Sequence, residues 1–165
     1  MDRFFEKISF DQYCKDINSD INAYNNYQLP ARSTLNSAGY DFRVITDVEI
    51  LAGESVMIST GTKVKMKSDE VLLIIIRSSA ALKNKLSLLN QTGVIDSDYY
   101  NNIGNEGHIY IPIQNNGKEA HIIKQGENFA QGIFTKFLTI DNEKNKNNSR
   151  IGGFGSTNKG DVEHE

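Results

Sequence analysis

The run His108-Ile109-Tyr110-Ile111-Pro112-Ile113 alternates isoleucine with other residues, and so sets three isoleucines on one face of an extended chain. A period of two belongs to a strand with one buried face, because successive side chains of extended backbone point to opposite sides. Pro112 has no N–H for a ladder, so this strand is expected at a sheet edge or with that position turned away from a neighbour. Outward from it, short β-like runs recur at 40–44, 48–51, 55–59, 63–66, 71–77, 86–89, 93–95, 121–123 and 130–137, separated by Gly, Asn and Asp. That spacing is expected of an antiparallel sandwich or barrel. One short helix is expected in the core region, where Ala80-Ala81-Leu82-Lys83 follows Arg77-Ser78-Ser79 and the serines can cap it. Residues 8–21 are read as a further short helix that continues irregularly to Tyr27.

With 165 residues, 38% of them hydrophobic, the chain is long enough for one core and too short for two comfortable ones. We expect a β domain over 1–141 and a flexible C-terminal arm over 142–165, tethered by the apolar-free tract 142–149. The longest apolar run, Val71 to Ile76, is far short of a membrane span, and the first residues carry no signal-peptide pattern, so a cytoplasmic protein is expected. Cys14 is the only cysteine, which excludes an internal disulfide or a thiolate cluster within one chain. A net charge of −3 argues against a broad surface for duplex DNA, though local charge can still hold a small anion. His108, His121 and His164 are too scattered for a transition-metal site and are read as surface or packing residues.

Several stretches carry chemistry, each with a plainer reading beside it. The apolar run 71–76 ends abruptly in Arg77-Ser78-Ser79, which suits either an anion site at a helix start or a capped helix with a surface arginine. In Gly93-Val94-Ile95-Asp96-Ser97-Asp98-Tyr99, a carboxylate at a strand end can take a proton from an attacking water, or the acids and serine simply form a turn. Asp41 sits in an apolar strand, where it is either paired or faces outward, and Gln131 interrupts an apolar run with the same two options. Arg150-Ile151-Gly152-Gly153-Phe154-Gly155-Ser156-Thr157 combines a flat ring with glycine N–H groups and hydroxyls, as an arm closing on a nucleotide would, or is a tail with one stray Phe.

Taken in order, Ala38-Gly39-Tyr40-Asp41, Arg77-Ser78-Ser79, Gly93 to Tyr99, Ala130-Gln131 with the following Gly-Ile-Phe, and Gly152 to Thr157 resemble the five motifs of the trimeric deoxyuridine triphosphatases, or dUTPases. The resemblance spans residues 29–159, and Leu29-Pro30-Ala31-Arg32 is similar to the segment that precedes the family's first motif. It implies a mainly β, distorted jelly-roll (β-clip) fold and a homotrimer with sites shared between chains. The implied reaction is hydrolysis of dUTP to dUMP and pyrophosphate, which limits uracil in DNA and supplies dUMP for thymidylate synthesis, with Mg2+ bound through the triphosphate. Asp96 then matches the residue that deprotonates the water attacking the α-phosphorus, and Asp41 one that supports the hydrated Mg2+ from behind its waters. Arg77, Ser78, Ser79 and Gln131 match positions toward the phosphates. Tyr99 matches the ring under the deoxyribose, where a 2′-hydroxyl has no room. Asn90 and the hairpin backbone at Gly93 and Ile95 match the reader of the uracil edge. Phe154 matches the cap on the base, with stacking worth about 1–3 kcal/mol, and Arg150, Gly155, Ser156 and Thr157 complete the closing arm.

The chain departs from the family pattern in four places. About six additional residues lie between Tyr99 and Gly107, as in dUTPases of low-GC bacteria and their phages, and His108 stands where a Glu often does. Asn128-Phe129, Ile151 and Asn158 replace the more common Arg-Ile, Gly and Gly. A dCTP deaminase, which shares the fold, carries its proton-shuttling Glu three residues before the Asn of the corresponding strand; here Pro112 stands three before Asn115. A regulatory binding protein of phage type is a second alternative, for which the 100–106 insertion is the expected partner-facing segment.

Overall fold

The computed structural model describes residues 3–142; the expectations for Arg150, Phe154, Gly155, Ser156, Thr157 and the tether fall outside the described residues. The β-rich expectation holds. Among the described residues eleven strands run in the order β1 (Phe4–Lys7), β2 (Tyr40–Arg43), β3 (Val48–Ile50), β4 (Ser55–Ser59), β5 (Thr62–Lys65), β6 (Glu70–Ile76), β7 (Leu86–Leu88), β8 (Gly93–Asp96), β9 (Tyr110–Asn115), β10 (His121–Ile123) and β11 (Asn128–Lys136). They form a four-stranded sheet in the order β2-β11-β6-β8, a three-stranded sheet β4-β9-β7, and the pairs β1-β5 and β3-β10. All the pairings are antiparallel. β6 is rich in Val, Leu and Ile because it is flanked on both edges and packs on the core, where a β-branched side chain fits the pleat.

Ile109, Ile111 and Ile113 all point into the core beside Phe42, Ile58, Leu72, Ile74 and Phe129, as the period-two run requires. Each such side chain contributes about 1.5–3 kcal/mol by leaving water. The strand they occupy is not at an edge, however: β9 is the middle strand of its sheet. Pro112 is tolerated because its backbone faces the β7 side just beyond the end of that short strand, where its carbonyl accepts from Leu89 N–H at 3.0 Å.

Among the described residues there are three α-helices where two were expected, one in the core region and one over 8–21: α1 (Phe10–Asp16), α2 (Ile21–Asn26) and α3 (Ser78–Leu82). The single helix expected over 8–21 is interrupted by local side-chain bonding. Asn18 Oδ1 accepts from Asp20 N–H at 2.9 Å, and Asp20 Oδ1 accepts from Asn22 and Ala23 N–H at 2.8 and 3.2 Å, which ends one helix and caps the next. In α3 the expected serine caps are absent, since Arg77 occupies the cap position without a side-chain bond and the serines lie inside the first turn. β1 was not anticipated at all, because Phe4-Phe5-Glu6-Lys7 carries no alternation; Phe5 packs on Phe42 and Phe134. The two N-terminal helices bury a second small cluster of Ile8, Tyr13, Tyr27 and Ile45 against the β domain.

Candidate active site

One hollow, of about 160 Å³, opens where β8 runs beside β6. Gly93 lies opposite Ile74 in that ladder, and a Cβ at Gly93 would stand 3.1 Å from Ile74 Cβ, so the close approach favours glycine. The tight turn before β8 places Asn90 at the mouth, with Gln91 in the left-handed region at φ 62°. Ile95 lines the hollow, Asp96 follows it at the end of β8, and the short 3-10 turn Ser97–Tyr99 swings the Tyr99 ring into the wall. Tyr99 is buried; its hydroxyl donates to the His108 carbonyl at 2.9 Å and accepts from Asn105 Nδ2 at 2.8 Å. The opposite wall comes from β9, through Tyr110 and Pro112.

The second hollow, of about 420 Å³, lies at the end of β6 and is bordered by Ser33, Ser37, Gly39, Asp41, Arg77, Ser78, Ser79 and Gln131. Asp41 is not outward-facing: only 4% exposed, it pairs through Oδ1 with Arg77 Nε at 3.1 Å and accepts from the Ser33 hydroxyl through Oδ2. A buried carboxylate needs such partners, and the contact in turn anchors the guanidinium. Asp41 and Gln131 are register partners between β2 and β11. Gly39 makes room for the Gln131 amide, because a Cβ at Gly39 would come within 2.1 Å of Gln131 Oε1.

Chemically the hollows differ. The first offers apolar and aromatic walls with one amide at its mouth, which suits a flat uncharged ring with a hydrogen-bonding edge. The second offers a guanidinium, hydroxyls and an amide, which suits an anion. They share no lining residue. Asn90, Gly93, Ile95 and Tyr99 thus meet in one hollow with Asp96 at the next position, and Arg77, Ser78, Ser79, Gln131 and Asp41 in the other. Among the described residues no group of three or more His, Cys, Asp or Glu could hold a metal ion directly. The oxygen donors of Asp41, Ser33 and Gln131 are nevertheless of the hard type that suits the water shell of Mg2+.

Ser33, Ser37 and Tyr110 were not assigned roles from the sequence. Ser33 lies in a loop without periodicity, eight residues before its partner Asp41, so only the fold brings them together. Tyr110 had a signal in the opening run itself: it lies on the face opposite the three isoleucines, together with His108 and Pro112. The 100–106 insertion does not stand free of the protein. Glu106 accepts from Ser9 N–H at 2.9 Å, Tyr100 Oη donates to Glu6 at 2.6 Å, and Asn105 supports Tyr99, leaving Ile103 as its exposed apolar side chain.

A protein-family model described as dUTPase matches residues 25–158. A deoxyuridine 5'-triphosphate nucleotidohydrolase of Lactococcus lactis is 45% identical over 130 residues, covering 78% of this chain and 87% of that one. One from Shewanella piezotolerans is 36% identical over 137 residues, covering 78% and 86%. The crystal structure of a dUTPase from Streptococcus mutans superposes with a TM-score of 0.70 at 39% identity, covering 83% of this chain and 98% of that one. The dUTPase from phage phi11 of S. aureus, at 20% identity, shares the fold with a TM-score of 0.66. With the family match spanning most of the chain and both hollows formed from the motif residues, this protein belongs to the dUTPase family.

Proposed function

We propose that the chain hydrolyses dUTP to dUMP and pyrophosphate, with Asp96 as the general base. The observation that carries this reading is the meeting of Asn90, Gly93, Ile95 and Tyr99 around one hollow whose rim continues directly into Asp96. In that reading the uracil edge meets the Asn90 amide and the hairpin backbone, an amide supplying both donor and acceptor. Tyr99, buried and held by two hydrogen bonds, lies under the deoxyribose and leaves no space for a 2′-hydroxyl. Asp96 accepts the proton of the water that attacks the α-phosphorus, and the P–O bond to the β-phosphate breaks as pyrophosphate leaves. Arg77, Ser78, Ser79 and Gln131 hold phosphate oxygens, with the Asp41 contact fixing the guanidinium. Bound through the triphosphate, Mg2+ would neutralise its charge, and Asp41 would hold its water shell in place.

Nucleoside and phosphate hollows without a common lining residue support a site shared between chains of a homotrimer, in which residues 142–165 of one subunit close as an arm over a site. In that arm Phe154 would stack on the base, and Arg150, Gly155, Ser156 and Thr157 would contact phosphate. None of the helices among the described residues is long and apolar enough to cross a membrane, and the substrate is one of the cytoplasmic nucleotide pool. The test is Asp96→Asn. Retained dUTP binding with turnover lowered by about 10²–10⁴-fold supports the assignment, the usual range for losing a positioned base; near-normal turnover would remove Asp96 from its role.

A further inference from the structure

The family match begins at residue 25, so α1 precedes it, yet its last residue reaches the back of the nucleoside hollow. Asp16 lies against His108 and Tyr110, two residues of the run that leads into β9. His108 is fully buried. Its Nε2 accepts the Gly61 N–H at 2.8 Å, so the proton sits on Nδ1 and is donated to Asp16 Oδ2 at 2.6 Å. Asp16 also takes hydrogen bonds from the Tyr110 hydroxyl and from Gln12 Nε2, the latter at 2.8 Å. The rings of His108 and Tyr110 stand 4.2 Å apart. From His108 the connection continues to the other aromatic wall, because its carbonyl accepts the Tyr99 hydroxyl.

Resting on the dUTPase reading above, we propose that Asp16 is a positioning residue for substrate: it fixes Tyr110 by its hydroxyl and, through His108, the carbonyl that holds Tyr99. Both tyrosines of the hollow are thereby braced from behind by one carboxylate, which itself touches no part of the substrate. α1 is in turn held on the β domain by the Ser9–Glu106 hydrogen bonds and by Tyr13 in the second core cluster. The geometry also explains how a buried histidine is retained: each ring nitrogen has a partner. Burial pushes the Tyr110 hydroxyl up from its usual value, with the Asp16 carboxylate adding to the effect, so the phenol stays a donor across the physiological range.

The test compares wild type, Asp16→Asn, Tyr110→Phe and the double variant by steady-state dUTP hydrolysis and thermal melting. Tyr110→Phe keeps the ring and removes the hydroxyl that bonds Asp16, so it remains informative if Asp16→Asn folds poorly. Each single variant is expected to raise KM about ten-fold with kcat within about two-fold, the worth of one hydrogen bond to a charged group. The double variant should be no worse than Asp16→Asn alone, since both remove the same link. An unchanged KM in Tyr110→Phe, or additive losses, would overturn the proposal, as would variants that lose only melting temperature. A wild-type chain inert toward dUTP would overturn the functional reading and this inference with it, an outcome distinct from active wild type with unaffected variants.

Discussion

A methyl group at Gly39 would stand 2.1 Å from Gln131 Oε1, nearer than any contact allows, so the amide at the end of a flexible side chain must give way. Gly39→Ala is therefore expected to leave the fold largely intact and to raise KM for dUTP several-fold, because the amide leaves the phosphate hollow. Parallel melting curves and steady-state kinetics check this; a large loss of melting temperature with unchanged KM would contradict it. Such dependence of one residue on another decides how much could be read in advance. Asp41 was recognisable as an anomaly, a charge in an apolar strand, but its partners Arg77 and Ser33 were not, since each comes from a different part of the chain. Tyr99 and Asn90 were named through motif order alone, whereas Tyr110 was visible only as the uncommitted face of an alternating strand.

At the scale of elements, the central strand β6 and the brace behind β9 respond to different stresses. Leu72 is completely buried between the neighbours of β6, so Leu72→Ala is expected to cost about 2–5 kcal/mol in chemical denaturation, through lost burial and the cavity left. The brace responds to pH. Burial outweighs the nearby Asp16 carboxylate and holds the His108 pKa below the ordinary histidine value of about 6.5. The unfolded chain therefore binds a proton that the folded chain refuses, and the stability from a neutral His108 is complete above about pH 6.5 and declines below it. In the carboxylates burial acts upward, but hydrogen bonds from Gln12, Tyr110 and His108 to Asp16, and from Ser9 to Glu106, prevail and hold both below their ordinary values. Glu70 is held down to about 2, chiefly by its hydrogen bond from Arg3, so its contribution declines only as pH falls from about 4.5 toward 2. Melting temperature should thus fall between pH 7.5 and 5.5, and His108→Gln, though less stable at pH 7.5, should flatten that segment; an equally steep fall in the variant would remove His108 as its cause. Strands were legible to within a residue or two because their periodicity is local. β1 and the break between α1 and α2 were not, because they depend on pairing with β5 and on side-chain caps.

For the whole molecule, the separation of the nucleoside and phosphate hollows makes a prediction about assembly. If each site joins the first hollow of one chain to the second of another, then Asp96→Asn and Arg77→Ala, each nearly inactive alone, should regain activity when unfolded together and refolded as mixed trimers. Some sites would then contain neither substitution. Absence of recovery in mixtures shown to contain both chains would contradict the shared site. The β-sandwich class followed from the spacing of short runs, and the candidate hollows from the first four ordered motifs, but neither spacing nor motif order points to the proposed support of the pocket by a helix outside the family match. The most direct measurement of the central claim is pyrophosphate release with Mg2+ from dUTP, dCTP, dTTP and UTP separately, with Asp96→Asn alongside. Release from dUTP alone, lost in the variant, is the predicted result; release from none of the four, or equal release from dUTP and UTP, would contradict it.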